Sequence, residues 1–218
     1  MSANVSSKKK LIIAVTVIGV VLLAAIVSVV AVLAAGQQAV TSQVSVTYSV
    51  TDVSATVSAR YKVKGAAVVT PDNNEITFTA DQQTTTGAIN FTDNDDSTAN
   101  TPATIGLSST GDYVIFEYKF DNNSSKAFNV YLTAVPTADN MTLTIATSST
   151  LVDDMETGLD FTAIETVQTP SASNATTSVA GGADSVSYVY IKAKINSLNA
   201  SASLAGAFGW TLDSALAG

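Results

Sequence analysis

Residues 41–65 read TSQVSVTYSVTDVSATVSARYKVKG, and apolar side chains alternate with small polar ones through most of this stretch. A period of two is typical of a β-strand that buries one face. About twenty extended residues would reach roughly 65 Å, several times the length of an ordinary strand. The stretch is therefore predicted either to be divided within its own domain or to be received in part by something outside it.

The parity of the apolar positions predicts where the division falls. Apolar residues occupy even positions before Thr51 and odd positions after Asp52. A change of phase by one residue exchanges the two faces of a strand, so we expect a bulge, a corner or a short turn at these two residues. The two resulting strands need not belong to the same sheet. The even set is Val44, Val46, Tyr48 and Val50, and the odd set is Val53, Ala55, Val57, Ala59, Tyr61 and Val63.

A hydrophobic segment precedes this stretch. Three lysines, residues 8–10, come before an uncharged run over residues 11–36. As a helix, about 25 such residues would span roughly 37 Å, which is enough to cross a bilayer. A cleaved signal peptide has a shorter apolar core, of about 7–15 residues, which favours a retained membrane anchor over residues 11–35. The triplets Val32-Leu33-Ala34 and Ala34-Ala35-Gly36 carry the small residues that a signal peptidase accepts, so cleavage stays open, and in both cases the rest of the chain is exported.

The exported part is acidic and lacks cysteine. After Gly36 the chain keeps seven of its ten basic residues and all eighteen acidic ones, a formal charge of −11. Such a surface repels phosphate backbones, so nucleic acid is not an expected partner. No disulfide framework can form, but roughly 180 residues bury enough apolar surface for a single domain without one. We divide the chain into a basic start with the export segment (1–36), an extended N-terminal strand (37–52) and a β-sandwich domain (53–218).

Further alternating segments predict an all-β fold. Two of them, YVIFEYKF (113–120) and AFNVYLTAV (127–135), flank the polar turn DNNSSK and are predicted to form an antiparallel hairpin. One segment, STLVDDMETG (149–158), has helix signals, because Thr150 can cap a helix and Gly158 can end one. About eight to ten short strands with little helix predict a jelly-roll-like antiparallel β-sandwich, preceded by the hydrophobic helix. The other strand segments are EITFTA (75–80), AINFT (88–92), MTLTIA (141–146), SVSYVYIKAKI (185–195) and GAFGWTL (206–212).

The alternation also predicts which side chains of these segments face the core. In each segment the apolar residues fall on every second position, and in a strand such positions share one face. The predicted core residues are Ile76, Phe78, Ala80, Ile89, Phe91, Val114, Phe116, Tyr118, Phe120, Phe128, Val130, Leu132, Ala134, Met141, Leu143, Ile145, Val189, Ile191, Ala193, Ile195, Phe208, Trp210 and Leu212.

The composition argues against several kinds of catalytic site. The chain has no histidine and no cysteine, which excludes a Ser-His-Asp triad, a thiol nucleophile and a zinc site of the usual nitrogen and sulfur ligands. We therefore predict no enzyme, no catalytic residues and no cofactor. Asp93, Asp95 and Asp96 resemble the start of an oxygen-ligand calcium loop, but the glycine and glutamate of an EF-hand are missing at the required spacing. A solvated acidic turn is the favoured interpretation of residues 93–96, with calcium as the alternative.

Two other groups of side chains have a functional and a structural interpretation. Asp153, Asp154 and Glu156 could pair for acid–base chemistry, but a charged helix start is favoured. Aromatic residues could form a platform that stacks on sugars, whereas packing in the core or across strands is favoured. These aromatic residues are Tyr188, Tyr190 and Trp210.

The order of features resembles the TasA/camelysin group of exported bacterial proteins. The resemblance is carried by a basic start, a hydrophobic export segment, an extended strand, YVIFEYKFDNNSSKAFNVYLTAV, and a late YVYIKAKI followed by LAGAFGWTL. It covers most of the exported part and implies a jelly-roll fold and, as in some members of the group, assembly into biofilm matrix fibres. Some relatives carry a metalloprotease label, to which a chain without histidine gives no support.

These observations predict a structural protein of the cell surface or extracellular matrix. An extended segment of one molecule can complete a sheet of a neighbour by β-strand addition. Residues 37–50, expected to be held to their own domain on one side, are the predicted donor in a homopolymer. The alternative is a membrane-tethered β-sandwich module that recognises glycan or a surface protein through its loops.

Overall fold

A computed structural model describes residues 38–40, 43–48, 53–71, 74–80, 85–90, 105–107, 109–164, 167–171, 173–197 and 203–214. The chain divides into two compact units, Met1–Gln37 and Gln38–Gly218, and every described residue belongs to the second. The predicted hydrophobic helix lies outside the described residues. Within the described ranges, no helix is long and apolar enough to cross a membrane.

The described residues form an all-β fold of sixteen strands. Their bounds are β1 (Gln38–Val40), β2 (Gln43–Tyr48), β3 (Ala55–Val63), β4 (Val68–Val69), β5 (Glu75–Phe78), β6 (Thr85–Asn90), β7 (Ile105–Leu107), β8 (Tyr113–Asn122), β9 (Phe128–Ala134), β10 (Thr137–Asp139), β11 (Met141–Ser148), β12 (Thr162–Ala163), β13 (Thr177–Val179), β14 (Ser185–Ile195), β15 (Ser203–Ala205) and β16 (Ala207–Asp213).

Hydrogen bonding arranges these strands in three sheets. The seven-stranded sheet has the order β12-β11-β14-β8-β3-β4, and β5 also pairs with β3. The five-stranded sheet has the order β13-β9-β16-β2-β6, and the four-stranded sheet has the order β10-β15-β1-β7. The N-terminal strands β1 and β2 therefore lie in two sheets, and both are interior strands of their sheets.

One apolar core joins the inner faces of the sheets. Trp210 on β16 is fully buried, and its ring lies 5.1 Å from that of Tyr118 and 5.4 Å from that of Phe120, both on β8. The alternation predicted this inward face correctly for β8, β14 and β16, where every predicted core residue is fully buried. The prediction fails at Ala134 on β9 and at Ala80 after β5, which are both exposed, and Phe91 lies outside the described residues.

The two strands that come from residues 41–65, β2 and β3, belong to different sheets. β2 lies in the five-stranded sheet and β3 in the seven-stranded sheet. The described side chains that parity predicted to face inward are buried, except that Val63 at the end of β3 is only partly buried, and Val50 lies outside the described residues. Residues 49–52, which include Thr51 and Asp52, lie outside the described residues. The phase change in the sequence therefore coincides with the passage of the chain from one sheet to the other.

The predicted hairpin of residues 113–120 and 127–135 is wrong. β8 pairs with β3 and β14, whereas β9 pairs with β13 and β16. The turn between them is held by the buried Asn122, whose Nδ2 donates to the carbonyls of Lys126 (2.7 Å) and Ala180 (2.8 Å). Its Oδ1 accepts from the backbone N–H of Ser124 at 2.9 Å. This corner carries the chain across the core, so two similar apolar faces come to oppose each other from different sheets.

The predicted helix of residues 149–158 is also wrong. The segment is irregular and contains a single turn, in which the N–H of Gly158 donates to the carbonyl of Asp154 at 2.9 Å. The Asp154 carboxylate accepts from the N–H of Glu156 at 3.0 Å, which satisfies a backbone group locally without a helix. Met155 is fully buried, in a cluster that contains Ile115 and Tyr190. The segment thus packs on the outer face of the seven-stranded sheet, with Met155 fully buried and Val152 packed beside it.

Candidate functional site

The N-terminal strand runs parallel to the C-terminal strand in one constant register. Val40 pairs with Leu204, and the ladder of β2 with β16 runs from Gln43–Ala207 to Tyr48–Leu212. The difference in residue number between paired residues is the same for β1 with β15 as for β2 with β16. The ladder is bent at Gly206, which has a φ of 115° that side chains rarely adopt.

The other side of the N-terminal strand is also paired. β2 forms an antiparallel ladder with β6, and β1 forms one with β7. This corrects the expectation that the segment is held on one side. The physical reason is that an interior position satisfies both rows of backbone N–H and C=O groups, which an edge position leaves open.

The inward side chains of β2 complete the core. Val44, Val46 and Tyr48 are each 0% exposed. The Tyr48 ring stacks on Phe78 with centroids 4.6 Å apart and planes 5° from parallel. Its hydroxyl donates to the carbonyl of Val53, and burial raises the pKa of Tyr48 to about 12. We call the space that receives β2, between β16 and β6 and above Phe78, the slot.

Glycines on the strands at both sides of β2 show how closely the walls of the slot pack against the strands behind them. Gly87 on β6 pairs with Val46, and a methyl group on Gly87 would lie 2.7 Å from Cγ2 of Ile76. Gly209 on β16 pairs with Ser45, and a methyl group there would lie 2.8 Å from Cβ of Ala134. Both distances are below contact distance, so the strands beside β2 tolerate little added volume.

Beyond the end of the short β13, the outer side of β9 is closed by hydrogen bonds from side chains and from one backbone N–H. The N–H of Leu132 on β9 donates to Oγ1 of Thr176 (3.0 Å) and Oε1 of Gln168 (3.2 Å). The carbonyl of Leu132 accepts from the N–H of Gln168 at 2.8 Å. These bonds occupy the groups through which a further strand would pair at this point.

An open cavity of about 650 Å³ lies beside this closed edge. Apolar side chains of Leu132, Ile145 and Ile164 line it together with the polar side chains of Asp160 and Asn174. Amide and hydroxyl groups with an apolar floor can bind a polar, uncharged ligand. Asn174, however, already donates to the carbonyl of Thr169 at 2.8 Å.

The acidic residues that sequence analysis grouped do not form a catalytic pair. Asp154 holds its own turn, whereas Glu156 contacts Lys62 at 3.2 Å and accepts from the N–H of Gly65 at 2.9 Å. The hydrogen bond from Gly65 lowers the pKa of Glu156. Asp154 and Glu156 therefore have separate structural contacts, and neither starts the helix that the sequence predicted.

The other candidate residues have mixed outcomes. Asp93, Asp95 and Asp96 lie outside the described residues, and among the described ranges no three acidic side chains group as a metal site. Trp210 and Tyr190 are fully buried, so they do not form a surface platform for sugars. Sequence analysis did not single out Gly87, although a glycine within a strand pattern is a signal of close approach.

No protein-family model, curated protein or solved structure matches this chain. The resemblance to the TasA/camelysin group stays a prediction from the sequence.

Proposed function

We propose that this is a non-enzymatic, exported structural protein that self-assembles into cell-surface or matrix fibres by passing its N-terminal strand to a neighbouring copy. A jelly-roll-like sandwich would be the repeating body of the fibre. One observation carries the proposal: a strand at the start of the folded unit fills an interior slot with three fully buried side chains. The chain thus contains both a donor and a matching acceptor.

The position of β2 in the chain makes an exchange feasible. Four residues connect Tyr48 to Val53, and fully extended they span roughly 17 Å. If β2 of one copy fills the slot of another, the contacts with Phe78, β16 and β6 form unchanged between molecules. The free energies of the closed and exchanged states then differ mainly in linker strain and in the lost freedom of the associated copies.

The direction of the strands favours linear growth. Because β1–β2 and β15–β16 are parallel, both begin at one end of the ladder and finish at the other. A copy that gives its strand to one neighbour and receives a strand from another makes a head-to-tail contact. Such contacts extend as a filament unless their rotation closes a ring.

Processing of the hydrophobic segment would control the exchange. A retained anchor over residues 11–35 would hold each copy at the membrane, whereas cleavage near Ala34–Gly36 would free the donor. The N-terminal residue of the mature protein, determined by mass spectrometry, therefore bears on the proposal. A start near Gln37 supports fibres, and an intact Met1 supports a tethered protein.

Strand deletion with peptide complementation tests the proposal. Residues 37–218 are expected to form filaments on electron microscopy grids, and removal of residues 37–50 is expected to abolish them. The shortened chain should lose stability because its slot is empty, and a synthetic peptide of residues 37–50 should restore it. A peptide with aspartate in place of Val44 and Val46 is the control. Persistent monomers of the 37–218 chain at high concentration, or unchanged filaments after the deletion, would reject the proposal.

A second function is favoured by one observation. The cavity of about 650 Å³ beside β9 fits a membrane-tethered module that binds a surface glycan through polar side chains. A glycan array probed with residues 37–218 tests it. A specific hit that Asn174→Ala weakens would support this function, and an array without hits would count against it.

A further inference from the structure

The few basic residues of the folded unit are concentrated on one surface. Seven follow Gly36 in the sequence, and six of these lie on or next to the seven-stranded sheet. Five are on β3, β8 and β14 at positions that alternate with the buried core residues, so they share the outer face of the sheet. The six are Arg60, Lys62, Lys64, Lys119, Lys192 and Lys194, and the seventh is Lys126 in the turn after β8.

Toward one end of this sheet the positive charge is incompletely balanced. Arg60 is neutralised by Glu117, with which it makes two hydrogen bonds of 2.6 and 2.8 Å. At the end itself, Lys64 contacts Asp112 at 3.6 Å with 49% of its side chain exposed. Among the described residues, Lys192 and Lys194 have no carboxylate within ion-pair distance. The Nζ of Lys192 instead lies 3.9 Å from the ring centroid of Tyr113.

A turn with small apolar side chains lies beside these lysines. Gly65, Ala66, Ala67 and Val68 are all exposed, as is Lys64 before them. Val68 is one of the large apolar side chains that remain accessible, at 37%. We call Lys62, Lys64, Lys192 and Lys194, together with the turn of residues 65–68, the basic end.

The polypeptide enters the folded unit at the basic end. Gln38, the first residue of β1, pairs with Leu107 at the end of β7. Two residues later the N–H of Ser109 donates to the carboxylate of Asp112 at 2.8 Å, and the same carboxylate contacts Lys64. A methyl group on Gly111 would lie 3.9 Å from Cε of Lys194. Gln38 is therefore paired with a residue five positions before Asp112, which contacts Lys64, and Gly111 lies close to Lys194.

One residue, Gln37, separates this entry point from the hydrophobic run of residues 11–36. If that run anchors the chain in a bilayer, one residue of sequence lies between the anchor and β1. We propose that the basic end docks on anionic lipid headgroups, with Lys64 and Lys194 as the phosphate contacts and the 65–68 turn at the interface. The acidic remainder of the surface is repelled by the same headgroups, which fixes the orientation.

This inference rests on the predicted membrane segment and not on strand exchange. Docking applies to the anchored chain, before any cleavage, so it can fail while filaments form or hold while they do not. It also predicts that the carboxylates near the basic end weaken docking. Glu156, which contacts Lys62, is the one to remove in order to strengthen it.

Site-resolved lysine labelling of the full chain in lipid nanodiscs tests the proposal. Discs of pure phosphatidylcholine are compared with discs that contain phosphatidylglycerol, and an amine-reactive reagent is followed residue by residue with mass spectrometry. Labelling of Lys64 and Lys194 is expected to fall several-fold in the anionic discs and to recover at high salt, where headgroup attraction is screened. Lys126 is the internal control, and its labelling is expected to be the same in both discs.

Variants make the result specific. Glu156→Gln is expected to deepen the protection of Lys194, whereas Lys64→Gln should weaken it and Lys126→Gln should leave it unchanged. Equal labelling of Lys64 and Lys194 in both lipids would overturn the proposal. Protection that appears only when a disc carries two chains would also overturn it, because the contact would then be with a second copy.

Discussion

β2 and β3 come from one alternating stretch, but the fold holds them in different ways. Each buries its apolar face completely or nearly so and pairs on both sides. β3 is continued by described strands of its own unit after Val63, whereas β2 has only the three-residue β1 before it in that unit. Burial is thus alike in the two strands, and we expect the place of a strand in the chain to decide whether another copy can supply it.

A buried charge in each strand gives the largest expected effect. Val46→Asp on β2 and Val57→Asp on β3 both place an unpaired carboxylate at a position that is 0% exposed. Each is expected to cost about 3–5 kcal/mol of unfolding free energy, measured by urea denaturation. The two variants should then differ in whether an added peptide of the natural strand sequence restores their stability. The peptide of residues 37–50 is expected to restore the Val46→Asp chain, and a peptide of residues 53–64 is not expected to restore Val57→Asp. Equal rescue, or none in both, would remove the distinction between the strands.

Closing the slot from the side of β6 is expected to have an intermediate effect. Gly87→Ala places a methyl group against Ile76, and such overpacking costs about 1–3 kcal/mol. The double variant Gly87→Ala/Ile76→Ala, compared with Ile76→Ala alone, removes the clash. Thermal unfolding of the four chains gives the coupling energy. If the changes in unfolding free energy of the two single variants simply add in the double variant, the β6 side of the slot is looser than the structure indicates.

Removing one hydroxyl group at the end of β2 is expected to have a smaller effect. Tyr48→Phe keeps the stack on Phe78 but removes the hydrogen bond to the carbonyl of Val53. The expected loss is about 1 kcal/mol, with filaments that form but release the strand faster. Tyr131→Phe is the control, because Tyr131 is buried on β9 away from the slot and its hydroxyl donates to the carbonyl of Ser171 at 3.1 Å. A similar change in strand release for both variants would contradict the role of Tyr48.

Alkaline pH is expected to weaken the same contact gradually. The pKa of Tyr48 is raised from 10.0 to about 12, so the folded state keeps a proton that the unfolded state loses first. The stability from this group is complete below pH 10 and is lost as the pH rises through about 12. Urea midpoints at pH 8, 10 and 11 should fall for the natural chain and fall less for Tyr48→Phe. Tyr190, whose pKa is also raised to about 12, contributes to the decline in both chains.

The sequence predicts faces better than partners. The alternation in β8 and β14 identified their buried side chains because strand periodicity fixes the direction of each side chain. It did not predict that β8 and β9 belong to different sheets, since pairing depends on the buried Asn122 and its bond to the distant Ala180. The expected helix failed because local capping signals were satisfied by a turn, while Met155 was drawn into a cluster on the sheet. The slot was not predictable because Phe78 and Gly87 approach β2 only in the folded chain.

A disulfide between two different chains tests strand exchange most directly. The chain has no cysteine, and Thr47 on β2 pairs with Thr211 on β16, a spacing that suits a disulfide. Chains of residues 37–218 with Thr47→Cys and with Thr211→Cys are mixed unfolded, assembled and oxidised, and Ser125→Cys replaces Thr211→Cys in the control. We expect a mixed dimer from the Thr47→Cys and Thr211→Cys filaments and none from the control. Filaments without that mixed dimer would show that each strand stays in its own chain and would contradict the account.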